Sequence, residues 1–289
     1  MLDDARRVEV ARHDSDNGRW EMAFGAPHPL LCGDVSRYCC YSESGTRFTR
    51  RREMPSGEVI VIINFGSPLR ICRSQGDISA YGAARGFLAG LDESYVISET
   101  EGNQQGIQIG LTPIGAYRIL GLPMHLVANR MIDLSDLFGD DARRLIEQLQ
   151  EAEDHEHRFA LLDATLLARI SKSRPLSPIA MQAWHRLVRT SGRADIGKLA
   201  TEFDCSRKHL VSKFHEQVGL APKPLAKLLR FNHVIRRLKS GAGDWAALAD
   251  RCGFYDQAHF IKDFREFAGM TPSAFMSRLL PDSGGIAED

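Results

Sequence analysis

The spacing of apolar residues changes part-way along the chain and divides it into two kinds of structure. Over residues 1–125 the apolar positions fall in short, β-branched runs such as VIVIINF at 59–65, with turn sequences such as PSGE between them. Runs of this kind predict strands, and their number and spacing favour a small β-sandwich or barrel. From Pro113 the period is helical. Amphipathic segments at 134–149 and 159–170 predict an antiparallel helical pair, whose apolar face a second subunit can share.

A pattern of apolar, glycine and proline residues occurs twice in the last third of the chain. The segments 206–215 (SRKHLVSKFH) and 256–265 (DQAHFIKDFR) align at an offset of fifty residues. The matched pairs are Ser206 and Asp256, Leu210 and Phe260, Phe214 and Phe264, Gly219 and Gly269, and Pro222 and Pro272. A fixed period with matched residue types indicates a duplicated supersecondary unit.

Each copy predicts two short helices joined by a tight turn. Asp195 and Asp244 precede the first helix of each copy, and Ser206 and Asp256 precede the second. Side chains of this type accept hydrogen bonds from the unpaired amides at a helix start, and the two-helix outline is that of a helix-turn-helix. Between the copies, 222–239 predicts a helical rod of roughly 20–25 Å. Such a rod can hold the two second helices in successive turns of the DNA major groove.

The outward positions of the two second helices mix basic, amide and small apolar side chains. Base edges require this mixture, because Lys or Arg pairs with guanine, Gln pairs with adenine, and an apolar group contacts the thymine methyl. Val211 and Ile261 are β-branched, which suits a methyl-lined groove better than a solvated face. The alternative is a pair of ordinary helical hairpins with basic solvated faces, which the duplication and the paired caps disfavour.

These residues resemble a known family. Segment 193–280 resembles the AraC/XylS-type DNA-binding domain through SRKHLVSKFHEQVGLAPKPL, LLRFNHVIRRL and DRCGFYDQAHFIKDFREFAGMTPSAF. The resemblance implies a sequence-specific transcription regulator with two helix-turn-helix units on a long helix. Carried over position by position, it implies base contacts from Lys208, Val211, Ser212, Gln257, Ala258, His259, Ile261 and Lys262. Val211 and Ser212 are shorter than the side chains often found at their positions, so the first helix is expected to depend more on DNA shape and phosphates.

The first half resembles the sensor-like N-terminal region of one AraC-type subgroup. The resemblance rests on RREMPSGEVIVIINFGSPLRI, GFLAGL, GIQIGLTPIGAYRILGLPMHL and DLFGDDARRL. It implies a regulatory or dimerising role and identifies no ligand. A β-barrel enzyme would need clustered His and carboxylate side chains on strands, and the β-rich half has only His13, His28 and His125, with no HxH pair. We therefore expect no enzyme, no metal and no cofactor.

Charge is segregated along a chain whose formal net charge is zero. Residues 192–280 hold fifteen Lys or Arg against nine Asp or Glu, whereas residues 1–191 hold twenty-two against twenty-five. The positive excess thus lies where the duplicated motif lies, as phosphate binding requires. We expect phosphate contacts from Arg207, Lys213, Lys223, Arg236 and Arg265. With no apolar run of membrane-spanning length and no hydrophobic start for secretion, we expect a cytoplasmic protein with reduced thiols.

Four weaker candidate sites remain in the first half. Tyr41, Arg52, Asn64 and Gln108 are expected to line a ligand cavity of the β domain. The run Arg50-Arg51-Arg52 can hold an anion, but a solvated strand edge with one ion pair is favoured, because neighbouring strand residues face opposite sides. The polar run 154–157 (DHEH) is interpreted as a solvated turn between helices rather than a metal site. Cys39 and Cys40 lack the spacing of a structural zinc cluster, which leaves a redox role open.

The sequence therefore predicts an α+β protein of two domains. We expect a regulatory or dimerisation domain over 1–172, an AraC-type DNA-binding domain over 176–280 and a disordered tail over 281–289. Expected partners are double-stranded promoter or operator DNA, a small-molecule effector, a second copy in a homodimer and, for an activator, RNA polymerase, but no membrane. The alternative is a constitutive DNA-binding regulator whose first half only dimerises.

Overall fold

The computed structural model describes residues 8–16, 18–47, 49–73, 81–83, 85–239, 245–280 and 285–288. Asp244, expected to cap a helix, and residues 281–284 and 289 of the expected tail lie outside the described residues. Within these ranges no helix is both long and apolar enough to cross a bilayer.

The first domain is built on two antiparallel sheets. Its strands are β1 (Glu9–Ser15), β2 (Gly18–Gly25), β3 (Val35–Ser44), β4 (Arg50–Glu53), β5 (Val59–Asn64), β6 (Leu69–Arg73), β7 (Tyr81–Ala83), β8 (Gly86–Ala89), β9 (Val96–Glu99), β10 (Gln104–Leu111) and β11 (Met131–Asp133). One sheet has the order β1-β2-β3-β10-β5-β8-β11, and the other has the order β4-β9-β6-β7. The predicted β-rich first domain is confirmed.

Helices cover one face of the larger sheet and form all of the second domain. They are α1 (Pro113–Leu120), α2 (Leu134–Phe138), α3 (Asp140–Glu151), α4 (His155–Ile170), α5 (Pro178–Arg189), α6 (Ile196–Glu202), α7 (Arg207–Val218), α8 (Pro222–Lys239), α9 (Trp245–Arg251), α10 (Gln257–Ala268) and α11 (Pro272–Ser277). Short 3-10 helices lie at Pro29–Leu31 and Met124–Leu126. A non-helical stretch at 171–177 separates α4 from α5.

The helical pair of the first domain differs from its prediction in two ways. The segment 134–149 is divided into α2 and α3 at Gly139, whose φ of 55° is in the left-handed region. The run 154–157 is not a turn, because the Asp154 side chain accepts a hydrogen bond from the His157 amide and so starts α4. In addition, the apolar face of the pair is already used within the chain, since Ile146, Leu149 and Phe159 are buried in the main core.

The two domains are docked through hydrogen bonds and ring stacking. α1 and the 3-10 helix at Met124–Leu126 pack against α7, and the His125 ring stacks on the His215 ring at 4.9 Å. Asn232 of α8 accepts a hydrogen bond from the Gly57 amide and donates one to the Pro55 carbonyl, both at 2.8 Å. Each domain therefore restricts the position of the other.

The end of the chain is ordered where the structure describes it, so the expectation of a disordered tail is wrong for residues 285–288. Ala287 forms a β-bridge with Arg51, and the Arg52 amide donates to the Ile286 carbonyl at 2.9 Å. The tail therefore extends the sheet at the edge strand β4.

Candidate DNA-binding surface

The second helix of each repeat begins and ends at the residues that the sequence indicates. The Ser206 side chain accepts a hydrogen bond from the His209 amide at 3.1 Å, and the Asp256 side chain accepts one from the His259 amide at 2.8 Å. Gly219 and Gly269 follow α7 and α10 with positive φ angles. The two helices thus have matched lengths of twelve residues each.

Aromatic side chains hold α10 against the central helix α8. Phe264 is buried among Phe231, Phe260 and Phe275, with ring centroids 5.3, 5.9 and 5.6 Å away in edge-to-face geometry. Phe267 stacks on Phe231 at 5.0 Å. Aromatic pairs of this kind stabilise a core beyond the area they bury, so the inner side of α10 is fixed and its outer side is presented in one orientation.

The residues expected to contact bases lie on the outer faces of α7 and α10. Exposed side chains are those of Lys208, Ser212, Gln257, Ala258 and Lys262, and half-buried ones are those of Val211, His259 and Ile261. His259 is engaged from one side, because its Nε2 atom lies 3.5 Å from a carboxylate oxygen of the buried Asp263. Lys227 of α8 lies 3.5 Å from the same carboxylate. The contacts of these side chains with DNA stay a prediction.

The residues expected to contact phosphates are placed less uniformly. Arg207, Lys223, Arg236 and Arg265 are exposed. Lys213 instead donates to the Glu216 carboxylate at 2.9 Å, and this hydrogen bond raises the pKa of Lys213. Glu216 lies on α7 as well, so this pair within the helix and a DNA phosphate compete for Lys213.

Tyr255 is a further candidate for DNA contact, and the sequence patterns do not predict it. Its side chain is 92% exposed in the turn between α9 and α10, one residue before the cap of α10. A large aromatic side chain at this position is solvated at the edge of the reading face. The one sequence feature that could have indicated Tyr255 is the presence of a large aromatic residue in a polar turn.

The four residues expected to line one ligand cavity do not lie together. Tyr41, Asn64 and Gln108 share a face of the larger sheet, because Gly106 of β10 pairs with both Tyr41 and Asn64 and Gln108 follows two positions later. Arg52 lies on β4 of the other sheet. Asn64 is engaged in a turn, where its side chain donates to the Ser67 carbonyl at 2.8 Å and accepts from the Gly66 amide.

Arg52 is buried and fully engaged in docking, not in ligand binding. Its guanidinium makes two hydrogen bonds of 2.7 Å to the Glu288 carboxylate and one of 2.7 Å to the Ala268 carbonyl at the end of α10. It also stacks on the Tyr95 ring at 3.9 Å. The expectation of one ion pair in the run 50–52 is wrong, because Arg50 pairs with Glu99 and Arg51 pairs with Glu43 as well.

The cysteines of β3 lie in the core. Burial raises the pKa of Cys39 to about 11 and that of Cys40 to about 12. Because the thiolate is the reactive species, both side chains are protonated and unreactive near neutral pH. In the part of the chain that the structure describes, no group of His, Cys, Asp or Glu side chains is arranged to hold a metal ion.

Comparison with known proteins agrees with the geometry of the second domain. Residues 199–278 match a protein family described as a helix-turn-helix domain. A stretch of 149 residues is 27% identical to the MmsAB operon regulatory protein of Pseudomonas aeruginosa, and it covers 48% of this chain and about half of that protein. Together these two matches support an AraC-type regulator.

Two solved structures are similar to this chain. A crystal structure of ToxT from Vibrio cholerae, with an unsaturated fatty acid bound, covers 96% of this chain and all of its own, with 12% identity and a TM-score of 0.48. The C-terminal domain of AraT, a response regulator from Geobacillus stearothermophilus, covers 38% of this chain and 93% of its own, with 20% identity and a TM-score of 0.35.

Proposed function

We propose that this regulator reads a bipartite promoter or operator site with α7 and α10. The observation that carries the proposal is the pair of matched helices, each capped, buried on one side and exposed on the other. Lys208 and Ser212 occupy the outer face of α7, and Gln257 and Lys262 occupy that of α10. Each of these side chains has a known way of pairing with a base edge.

The central helix α8 sets the separation of the two reading helices. It has eighteen residues, which span about 27 Å at 1.5 Å per residue. Successive turns of the major groove are about 34 Å apart. Helices fixed at the two ends of such a rod can enter adjacent turns on one side of the duplex, so we expect two short motifs about ten base pairs apart.

We propose further that the first domain makes DNA binding responsive to a small-molecule effector. The support is the docking of α1 on α7, which connects the first domain to one reading helix. An effector changes DNA affinity only if it binds the docked and the released arrangements unequally. A homodimer on DNA and, for an activator, contact with RNA polymerase belong to the same proposal.

The alternative is a constitutive regulator whose first domain only dimerises. The observation that favours it is the engagement of Arg52 and Asn64 in docking and in a turn, because two of the expected ligand residues are then occupied. The two versions differ in one measurable property. Only the effector-responsive regulator changes its operator affinity when a ligand of the first domain is added.

Selection of bound sequences from a random DNA pool by the full chain tests the proposed reading mode. We expect enrichment of two short motifs separated by about one helical turn. A single enriched motif would show that α7 contacts phosphates but does not read bases. No enrichment under any salt condition would contradict sequence-specific reading altogether.

A further inference from the structure

A basic cleft opens between α1, α3, α4 and the non-helical stretch that follows α4. Its volume is about 520 Å³. Five cationic side chains line it, and a single carboxylate, that of Asp141, faces them. The cations are Arg118, Arg144, Arg169, Lys172 and Arg174. A cleft lined by one sign of charge concentrates ions of the opposite sign.

The carboxylates nearby neutralise only part of this charge. Asp141 accepts a hydrogen bond from Arg144 at 2.5 Å and lies 3.7 Å from Arg169. Arg118 donates to the buried Asp34 at 2.5 Å. No carboxylate among the lining residues is left to face Lys172 or Arg174. The cleft therefore keeps a positive excess that an anion can complement.

Arg169 marks the boundary between the polar and apolar parts of the cleft. Its guanidinium stacks on the Phe138 ring at 4.0 Å, and burial lowers its pKa even though Asp141 is close. A partly desolvated guanidinium interacts more strongly with an anion than a solvated one does. Its planar group also matches a carboxylate with two parallel hydrogen bonds.

An apolar cavity lies directly beneath the floor of the cleft. It has a volume of about 60 Å³, and six residues line both it and the cleft: Ile119, Leu120, Asp141, Leu145, Thr165 and Arg169. Its remaining walls come from the larger sheet, from α2 and α4, and from the buried side of α3, where Ala142 lies. A water occupies about 30 Å³ of liquid, so the cavity holds a short aliphatic group of about two or three carbons.

We propose that this cleft binds a small organic acid, with its carboxylate among Arg144, Arg169 and Lys172 and its aliphatic end in the cavity. The juxtaposition of a cationic rim and an apolar floor selects for both parts of such a molecule. An inorganic anion leaves the cavity empty, and a neutral alcohol leaves the cationic rim without its partner.

The position of the cleft connects it to a reading helix. Arg118, Ile119 and Leu120 at the end of α1 line the cleft, and α1 also packs against α7. A ligand that moves the end of α1 therefore changes the docking of α7. This step from ligand to DNA rests on the proposed function, whereas ligand binding itself does not.

Calorimetric titration of the full chain with straight-chain carboxylates from acetate to octanoate tests the site. Affinity should rise about fourfold for each methylene until the cavity is filled and then level off, because each buried methylene contributes about 0.8 kcal/mol. Alcohols of the same length and inorganic phosphate should bind at least tenfold more weakly than the best carboxylate. Absence of carboxylate binding at millimolar concentration, or equal binding of phosphate, would overturn the proposal.

Two neighbouring arginines provide a matched pair of variants. Arg144 lies in the cleft, and Arg143 does not. Both are about 60% exposed and both pair with an aspartate three residues earlier on α3. Arg144→Gln should weaken carboxylate binding about tenfold, and Arg143→Gln should leave it unchanged. Equal losses of carboxylate affinity in both variants would mean that binding depends only on the net charge of the domain and not on the cleft.

Filling the cavity tests the aliphatic end separately. Ala142→Val adds two methyl groups to the buried side of α3, so it should abolish the dependence on chain length and leave acetate binding unchanged. A retained chain-length dependence in this variant would contradict the assigned position of the aliphatic end. Arg144→Gln remains informative if Ala142→Val does not fold, because its side chain is on the surface.

The effect of the carboxylate on DNA binding is measured as a change in affinity for an operator obtained by the random-pool selection. Carboxylate should change the operator affinity of the natural chain, and Arg144→Gln should need about tenfold more carboxylate for the same change. Carboxylate binding without any change in operator affinity would overturn the regulatory step and leave the reading mode intact. Absence of sequence enrichment, measured without carboxylate, would instead contradict the proposed function alone.

Discussion

Two basic residues of α10 lie three positions apart, and we expect them to contact different parts of the DNA. Lys262 is exposed on the outer face beside Ile261, and Arg265 is exposed in the last turn of the helix. Lys262→Ala should weaken binding by about 1–3 kcal/mol and relax the preference at one or two base pairs, because a pairing with guanine is lost. Operator variants with single base changes, titrated with each protein variant, measure this preference.

Arg265→Ala serves as the comparison for Lys262→Ala. As a phosphate contact, Arg265 should contribute to all sequences alike, so its removal should weaken binding uniformly. If Lys262→Ala also weakens every operator variant by the same factor, Lys262 is a phosphate contact and its assignment as a base-reading residue is wrong.

Phe264 is expected to matter for folding and not for base recognition. It is 1% exposed and contacts three other phenylalanine rings. Phe264→Ala should lower the free energy of unfolding by about 3–5 kcal/mol, because it leaves a cavity in the core of the second repeat. Urea denaturation of the full chain measures the loss. Met276→Ala, which removes a side chain that is 36% exposed on α11, should change stability far less.

At the scale of elements, the helices of the second domain were predictable because their signals are local. Ser206, Asp256 and the glycines after α7 and α10 act within one turn of the residues they cap, so the sequence contains the whole interaction. The start of α4 is harder to predict although Asp154 is a similar cap, because the polar composition of the run 154–157 is equally typical of a solvated turn.

Elements that depend on distant partners were less predictable. β4 carries three consecutive arginines, which alternate between the two faces. Their ion-pair partners are Glu43, eight residues away from Arg51, and Glu99 and Glu288, which are much farther along the chain. The basic cleft joins Arg118, Arg144 and Arg169 from three helices. No spacing in the sequence relates these residues, because only the packing of α1, α3 and α4 brings them together.

The pairing of the tail residues 285–288 with β4 should be sensitive to acid. Hydrogen bonds from Arg52 hold the pKa of Glu288 below its ordinary value of 4.5. The ion pair therefore contributes stability above pH 4.5, and that contribution is lost as the pH falls through the folded pKa. Glu288→Ala should cost about 2 kcal/mol at neutral pH, as a hydrogen bond to a charged group does.

Urea unfolding of the natural chain and of Glu288→Ala, at neutral pH and below pH 4, tests this contribution. The difference between the two proteins should shrink in acid. Arg50→Gln, which removes a more exposed ion pair of the same strand, should cost less than about 1 kcal/mol at either pH. A difference for Glu288→Ala that persists unchanged in acid would show that its carboxylate charge does not hold the tail.

For the whole molecule, segregation of charge predicts strong salt dependence in a chain of zero net charge. Residues 192–280 carry an excess of six positive charges, balanced by the first domain and the tail. The attraction of DNA by the basic domain and its repulsion by the acidic remainder cancel at long range. Counterion release, in contrast, depends only on the number of phosphates that the protein neutralises. Four of the five expected phosphate contacts are exposed, and the fifth, Lys213, is engaged by Glu216 at the domain boundary.

The logarithm of affinity should therefore fall against the logarithm of salt concentration with a slope of about −4 per bound chain, since each contact contributes about −0.9. Arg265→Ala should reduce the magnitude of the slope by about one, whereas Lys213→Ala should leave it unchanged as long as Lys213 stays paired with Glu216. A reduced slope for Lys213→Ala would show that Lys213 leaves Glu216 and reaches a phosphate. Because both residues lie on α7, this exchange needs no separation of α7 from the first domain, and Lys213 would then count as a fifth phosphate contact.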